Sequence, residues 1–191
     1  MNSFGGKIKF ESFDLEKLRK DNSFSTQKVL FPHQSEAIDA LTRAFTFRNP
    51  QGKGGLLVLP TGAGKTFTSV KWLSETAIPK GAKILWLAHS FHLLDQACDE
   101  FKKNAKWIPF PRSTLNIRVV SSNPSHSRAG DIVPTDDVVI MTTPTASCPC
   151  IWLSSASFGY SRDSPIGLFS WPYRHSRLFR RDTPGLAQQA V

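Results

Sequence analysis

Cysteine is scarce in this chain, and the little there is follows no framework. The 3 cysteines have no disulfide spacing, which points to a reducing setting and an expected cytoplasmic location. Cys148 and Cys150 form a C-P-C pair with no partner ligands at metal-site spacing, which argues against a zinc reading. Apolar runs are short, Ile84 to Ala88 being among the longest, far below the ~18 residues of a membrane span. The opening "MNSFGGKIKFESF" lacks an apolar stretch followed by a small-residue cleavage site, so no secretion signal is read. Glutamate is absent beyond Glu100, and residues 147–191 contain no lysine although residues 1–146 hold 13. That shift in composition marks a boundary near Ala146.

What is present is ordinary in bulk and basic in charge. A length of 191 residues allows one domain with a substantial core and excludes two large ones. The net charge of +9 favours a polyanionic partner, because each neutralised phosphate releases a counterion. Charge alone leaves nucleic acid and no specific partner equally open.

Along the chain, residues 1–30 are polar and mixed, with a short amphipathic piece around Phe13 to Leu18. Pro32 suits a first helical turn, and Ala37, Ile38, Leu41, Ala44 and Phe45 recur behind it at helical spacing. "NPQGKGG" is a turn cluster. The apolar run Leu56 to Leu59 predicts a strand buried on both faces, and a helix follows from about Lys65 to Ala77. "KILWLA" predicts another strand. Leu93, Leu94, Ala97, Cys98 and Phe101 mark a further helix, and Ile117 to Ser121 and Val138 to Met141 are two more strands. Alternation of this kind predicts an α/β fold, a parallel sheet with helices on both faces and ligands at the strand C-termini.

The most informative phrase is "LLVLPTGAGKTF", residues 56–67. A phosphate loop reads G-x-x-x-x-G-K-[ST]; Gly64, Lys65 and Thr66 match, but Leu59 occupies the leading glycine position. Backbone N–H groups from Gly62 to Thr66 and the start of the following helix would face a phosphate chain. Lys65 would reach the outer phosphates, and the Thr66 hydroxyl would hold magnesium.

"PTGAGKT" resembles motif I of superfamily-two helicases and translocases, whose first loop position is often not glycine. "FPHQSEAI" is similar to the segment that precedes motif I in that group, where a glutamine reads the adenine edge; Gln34 matches it. "ILWLAHSFHLLDQACDEF" resembles motif Ia, and "DVVIMTTPTA" resembles the strand and threonine-rich loop that follow. The wording is closest to the restriction-enzyme subunit group, type III included. The resemblance spans about residues 28–146 and implies a RecA-like lobe of an ATP-dependent motor acting on DNA. It implies ATP contacts at Gln34, Pro60, Thr61, Gly62, Ala63, Gly64, Lys65 and Thr66, with Mg2+ at Thr66. It further implies nucleic-acid contacts at His89, Ser90, Thr142 and Thr143, and a second lobe or a nuclease or methylase subunit as partner.

The family's next element, a strand ending in Asp-Glu-x-His, is missing, and Asp136 and Asp137 precede their strand instead of ending it. No catalytic residue is therefore assigned. The expected organisation is an extension over residues 1–30, a partial lobe over 31–146 and an atypical tail over 147–191. For the tail, a single-strand-stacking arm, a disordered arm and a change of reading frame near Ala146 stay open, the last preferred. Two functions follow: a first-lobe fragment of a DNA motor, or a nucleotide- and DNA-binding remnant that cannot turn over. A small phosphate-loop kinase is a weaker third, since it needs neither Gln34 nor the leucine-glutamine helix.

Overall fold

The structure is a computed structural model that describes residues 10–21, 28–46, 56–146 and 167–170. Cys148, Cys150 and the "NPQGKGG" turn lie outside the described residues. Among the described residues, five strands and five α-helices follow in chain order. They are β1 (Phe10–Asp14), α1 (Leu15–Lys20), α2 (Pro32–Thr46), α3 (Lys65–Trp72), β2 (Ile84–Ala88), α4 (Phe91–Ala105), β3 (Thr114–Val120), β4 (Val138–Thr142), α5 (Thr143–Ala146) and β5 (Gly167–Ser170).

The strands form one sheet in the order β1-β3-β4-β2-β5. The pairs β3–β4, β4–β2 and β2–β5 are parallel, as the alternation of strands and helices requires. β1 is antiparallel to β3, with Phe13 opposite Leu115, so the sheet is mixed where an all-parallel one was expected. The fold is α/β, consistent with a partial RecA-like lobe.

β4 shows how the sheet is packed. Val138 and Ile140 join the main core with Ile84, Ile117, Leu94, Phe101, Val70 and Leu15. Val139 and Met141 point to the other face with Val120, beside Leu85 and Leu87 of β2 and packed with Ala129, Ile132 and Ala146. The period of two along a strand produces this division. Phe101 is fully buried and meets Trp86 edge-on, ring centroids 5.8 Å apart, a favoured aromatic geometry.

The N-terminal piece is held by capping and pairing. Asp14 ends β1 and caps α1, its Oδ1 accepting from the amides of Glu16 at 3.1 Å and Lys17 at 3.2 Å. The Lys17 amide bond is the main reason its carboxyl sits below the usual carboxylate range, since such bonds favour the charged form. Lys102 of α4 reaches Glu11 of β1 at 2.5 Å. α2 begins at Pro32, as its fixed φ favours. α3 stops at Trp72, earlier than its apolar spacing predicts, and continues as a π-helical turn over Leu73–Ala77 and a 3-10 turn over Ile78–Lys80.

A further expectation fails. The run before the phosphate loop, Leu56 to Leu59, belongs to no strand of the sheet, and Leu56 and Val58 are 78% and 76% exposed. Apolar sequence favours burial, but burial on both faces needs a sheet position, and this segment pairs with none of the five strands. Leu56→Ser and Val58→Ser are therefore expected to change stability by no more than about 0.5 kcal/mol each. Urea denaturation of the two variants checks this, and a loss of several kcal/mol would restore the buried strand.

Candidate functional site

Gly62 and Gly64 have φ of +81° and +79°, in the left-handed region that glycine enters without steric cost. A Cβ on Gly64 would also lie 2.6 Å from Gln34 Nε2, so the turn and the glutamine are fitted to each other. Gly64 is the N-cap of α3 and offers no side-chain cap. The first helical bond runs from the Thr68 amide to the Gly64 carbonyl at 2.8 Å. The opening N–H groups of a helix have no partner inside it, so this turn presents donors and the positive end of the helix dipole.

Lys65 folds back over the turn. Its ammonium donates to the carbonyls of Leu59 at 2.5 Å and Pro60 at 2.8 Å. Those acceptors hold the charge at the turn, where an anionic oxygen would bind it more strongly than a neutral carbonyl. Pro60, Thr61 and Gly62 are exposed, while Ala63, Lys65 and Thr66 are half-buried. Glycines of positive φ, helix-start amides, one lysine and a threonine hydroxyl make a donor set that fits a nucleotide's phosphates and their Mg2+.

Gln34 joins α2 to this turn across 29 residues of sequence. Its Nε2 donates to the Ala63 carbonyl at 3.0 Å, and its Oε1 accepts from the Phe31 amide at 3.1 Å. Each bond uses one of the amide's two donors and one of its two lone pairs, leaving one of each. His33, which the sequence reading passed over, brings Nε2 to 3.2 Å from the same carbonyl, and Phe31 stacks on its ring with planes 7° apart. Its place beside Gln34 in "FPHQ" was the available signal.

A second constellation forms at the carboxyl ends of β2 and β4. An open groove of about 520 Å³ is lined by His89, Ser90, Phe91, Ser122, Thr142, Pro144 and Thr145. Ser90 is the N-cap of α4. Thr142 Oγ1 lies 2.6 Å from Thr145 Oγ1. Thr143 donates to the Ala88 carbonyl at 3.3 Å, tying the ends of β4 and β2 together. The fold thus gathers His89, Ser90 and Thr142 in one groove with Thr143 beside it. Phe91, Ser122, Pro144 and Thr145 were missed: Ser122 lies in a loop without period, and α5 is a single turn of four residues, too short to show one.

Asp136 and Asp137 lie before β4, at the amino edge of the parallel strands, and both are buried in ion pairs. Asp136 pairs with Arg118 at 2.6 Å, and Asp137 with Lys83 at 3.2 Å and with Arg112. No described helix is long and apolar enough to cross a membrane.

Against known proteins, the family model described as "Type III restriction enzyme, res subunit" matches residues 27–144. A search of curated proteins found no match.

Proposed function

The chain belongs to the type III restriction enzyme res subunit family, whose matched region is an ATP-dependent helicase-like domain, and from that membership we propose a first-lobe piece of a DNA motor that binds ATP and DNA. The observation that carries the reading is the bond from Gln34 Nε2 to the Ala63 carbonyl. It holds Gln34 against the glycine turn, which supports reading the two as parts of one nucleotide site.

In this reading Lys65 and the amides from Gly62 to Thr66 bind the phosphates, with Pro60, Thr61 and Ala63 shaping the turn. Thr66 Oγ1 ligates Mg2+, and Gln34 offers its remaining donor and acceptor to the adenine edge. Bound ATP supplies the anhydride whose cleavage powers such motors. His89, Ser90, Thr142 and Thr143 meet the DNA backbone, in the cytoplasm, alongside a second lobe or a nuclease or methylase subunit. Residues 1–30 are an extension, 31–146 the partial lobe, and 147–191 an atypical tail that a change of reading frame near Ala146 accounts for.

For this chain alone the binding-remnant reading is favoured by one observation: Asp136 and Asp137 are held in ion pairs at the sheet edge away from Thr142. Hydrolysis needs a carboxylate at magnesium and another group at the attacking water. The expected result is weak binding of a fluorescent ATP analogue with no DNA-stimulated phosphate release. Measured turnover by the chain alone would overthrow the remnant reading, and failure to bind nucleotide at millimolar concentration would overthrow both.

A further inference from the structure

We infer that the loop over residues 121–128 is a further wall of the DNA groove, with Arg128 contacting a backbone phosphate and His126 positioning it. The inference rests on the reading of that groove as a DNA site.

The loop follows β3 and returns beside it, the Ser127 amide donating to the Val119 carbonyl at 2.9 Å. Ser122, at its start, already lines the groove. The exposed Arg128 donates from Nη1 to the Ser121 carbonyl at 3.0 Å, which brings its guanidinium to the residue next to that wall. The nearby carboxylate of Asp131 accepts from the Arg128 backbone amide at 2.6 Å. A carbonyl accepts only part of a guanidinium's five-donor fork, and phosphate is the anion that fork suits best.

What fixes the loop is a buried cluster that neither the phosphate turn nor the groove-lining set includes. His126 is 4% exposed and Ser121 2% exposed, with Ser121 Oγ 2.7 Å from His126 Nδ1. Ser121 Oγ also accepts from the Asn123 amide at 3.1 Å, so the imidazole contact and the turn share one hydroxyl. Nε2 lies 3.6 Å from Asp95 Oδ1 of α4. Phe91, a groove residue, meets the imidazole edge-on at 6.1 Å. His126 thus clamps the loop to the first turns of α4, where Phe91 and Ser90 form the facing wall.

Binding of a short DNA oligonucleotide, measured over a range of salt concentrations, tests this. Arg128→Gln is expected to weaken binding severalfold and to lower the slope of log affinity against log salt by about 1. His126→Ala should give the same lower slope, and His126→Asn, whose side-chain amide can replace Nδ1 at Ser121, should keep the original one. An unchanged slope in Arg128→Gln, a surface change, overturns the inference whatever the histidine variants do. If His89→Ala weakens binding while Arg128→Gln does not, the groove reading stands and the inference alone falls. If the unaltered chain binds no DNA, both fall.

Discussion

Replacing Lys65 by alanine is expected to abolish nucleotide binding, the largest functional effect that any one substitution in this chain should produce. The side chain is the one cation among the residues from Pro60 to Thr66, and its ammonium spans the carbonyls of Leu59 and Pro60. Charge-assisted bonds to phosphate are roughly twice as strong as neutral ones, so its loss removes the strongest contact the turn can make. Lys65→Arg keeps the charge but not the compact shape, and should recover binding only in part. Fluorescence titration with an ATP analogue reads the outcome, with thermal denaturation confirming the fold. Unchanged affinity in Lys65→Ala would remove the phosphate turn from the site, and with it the nucleotide half of the proposed function.

That turn was legible because its chemistry is local: two glycines, a lysine and a threonine within five residues specify both backbone and donors. Gln34 was legible only through family resemblance, since its burial depends on a bond to Ala63 that no local pattern encodes. β1 escaped notice because "FESFD" alternates weakly. Its partner β3 lies about a hundred residues away, joined by contacts such as Ser12 to Asn116 at 2.7 Å. β5 lies in a stretch without strand period, and it is placed by its parallel backbone pairing with β2. The run Leu56 to Leu59 taught the opposite lesson: hydrophobicity states a preference for burial, while the neighbouring strands decide whether it is met. The groove at His89 was half visible: His89, Ser90 and Thr142 by resemblance, and Phe91, Ser122, Pro144 and Thr145 not at all.

Asp136 offers the largest expected effect on stability. Its carboxylate is fully buried and receives both Nε and Nη2 of Arg118, at 2.6 Å and 3.1 Å, as well as the Val133 amide at 3.0 Å. The Phe10 ring covers the guanidinium from 4.5 Å, so β1 closes the pair off from water. Asp136→Ala would leave a buried cation and a buried amide without their acceptor, and should cost about 3–5 kcal/mol. Much of that cost comes from orphaning the arginine and not from losing an attraction. A double replacement, Arg118→Met with Asp136→Leu, should therefore regain most of the loss. Urea denaturation of the three variants measures both effects, and a loss below about 1 kcal/mol in Asp136→Ala would mean the pair is solvated. The same experiment bears on chemistry. A carboxylate that serves the fold should leave nucleotide affinity per folded molecule unchanged when it is removed. If affinity instead falls in the double variant, with stability regained, Asp136 belongs to the nucleotide site and the remnant reading loses its support.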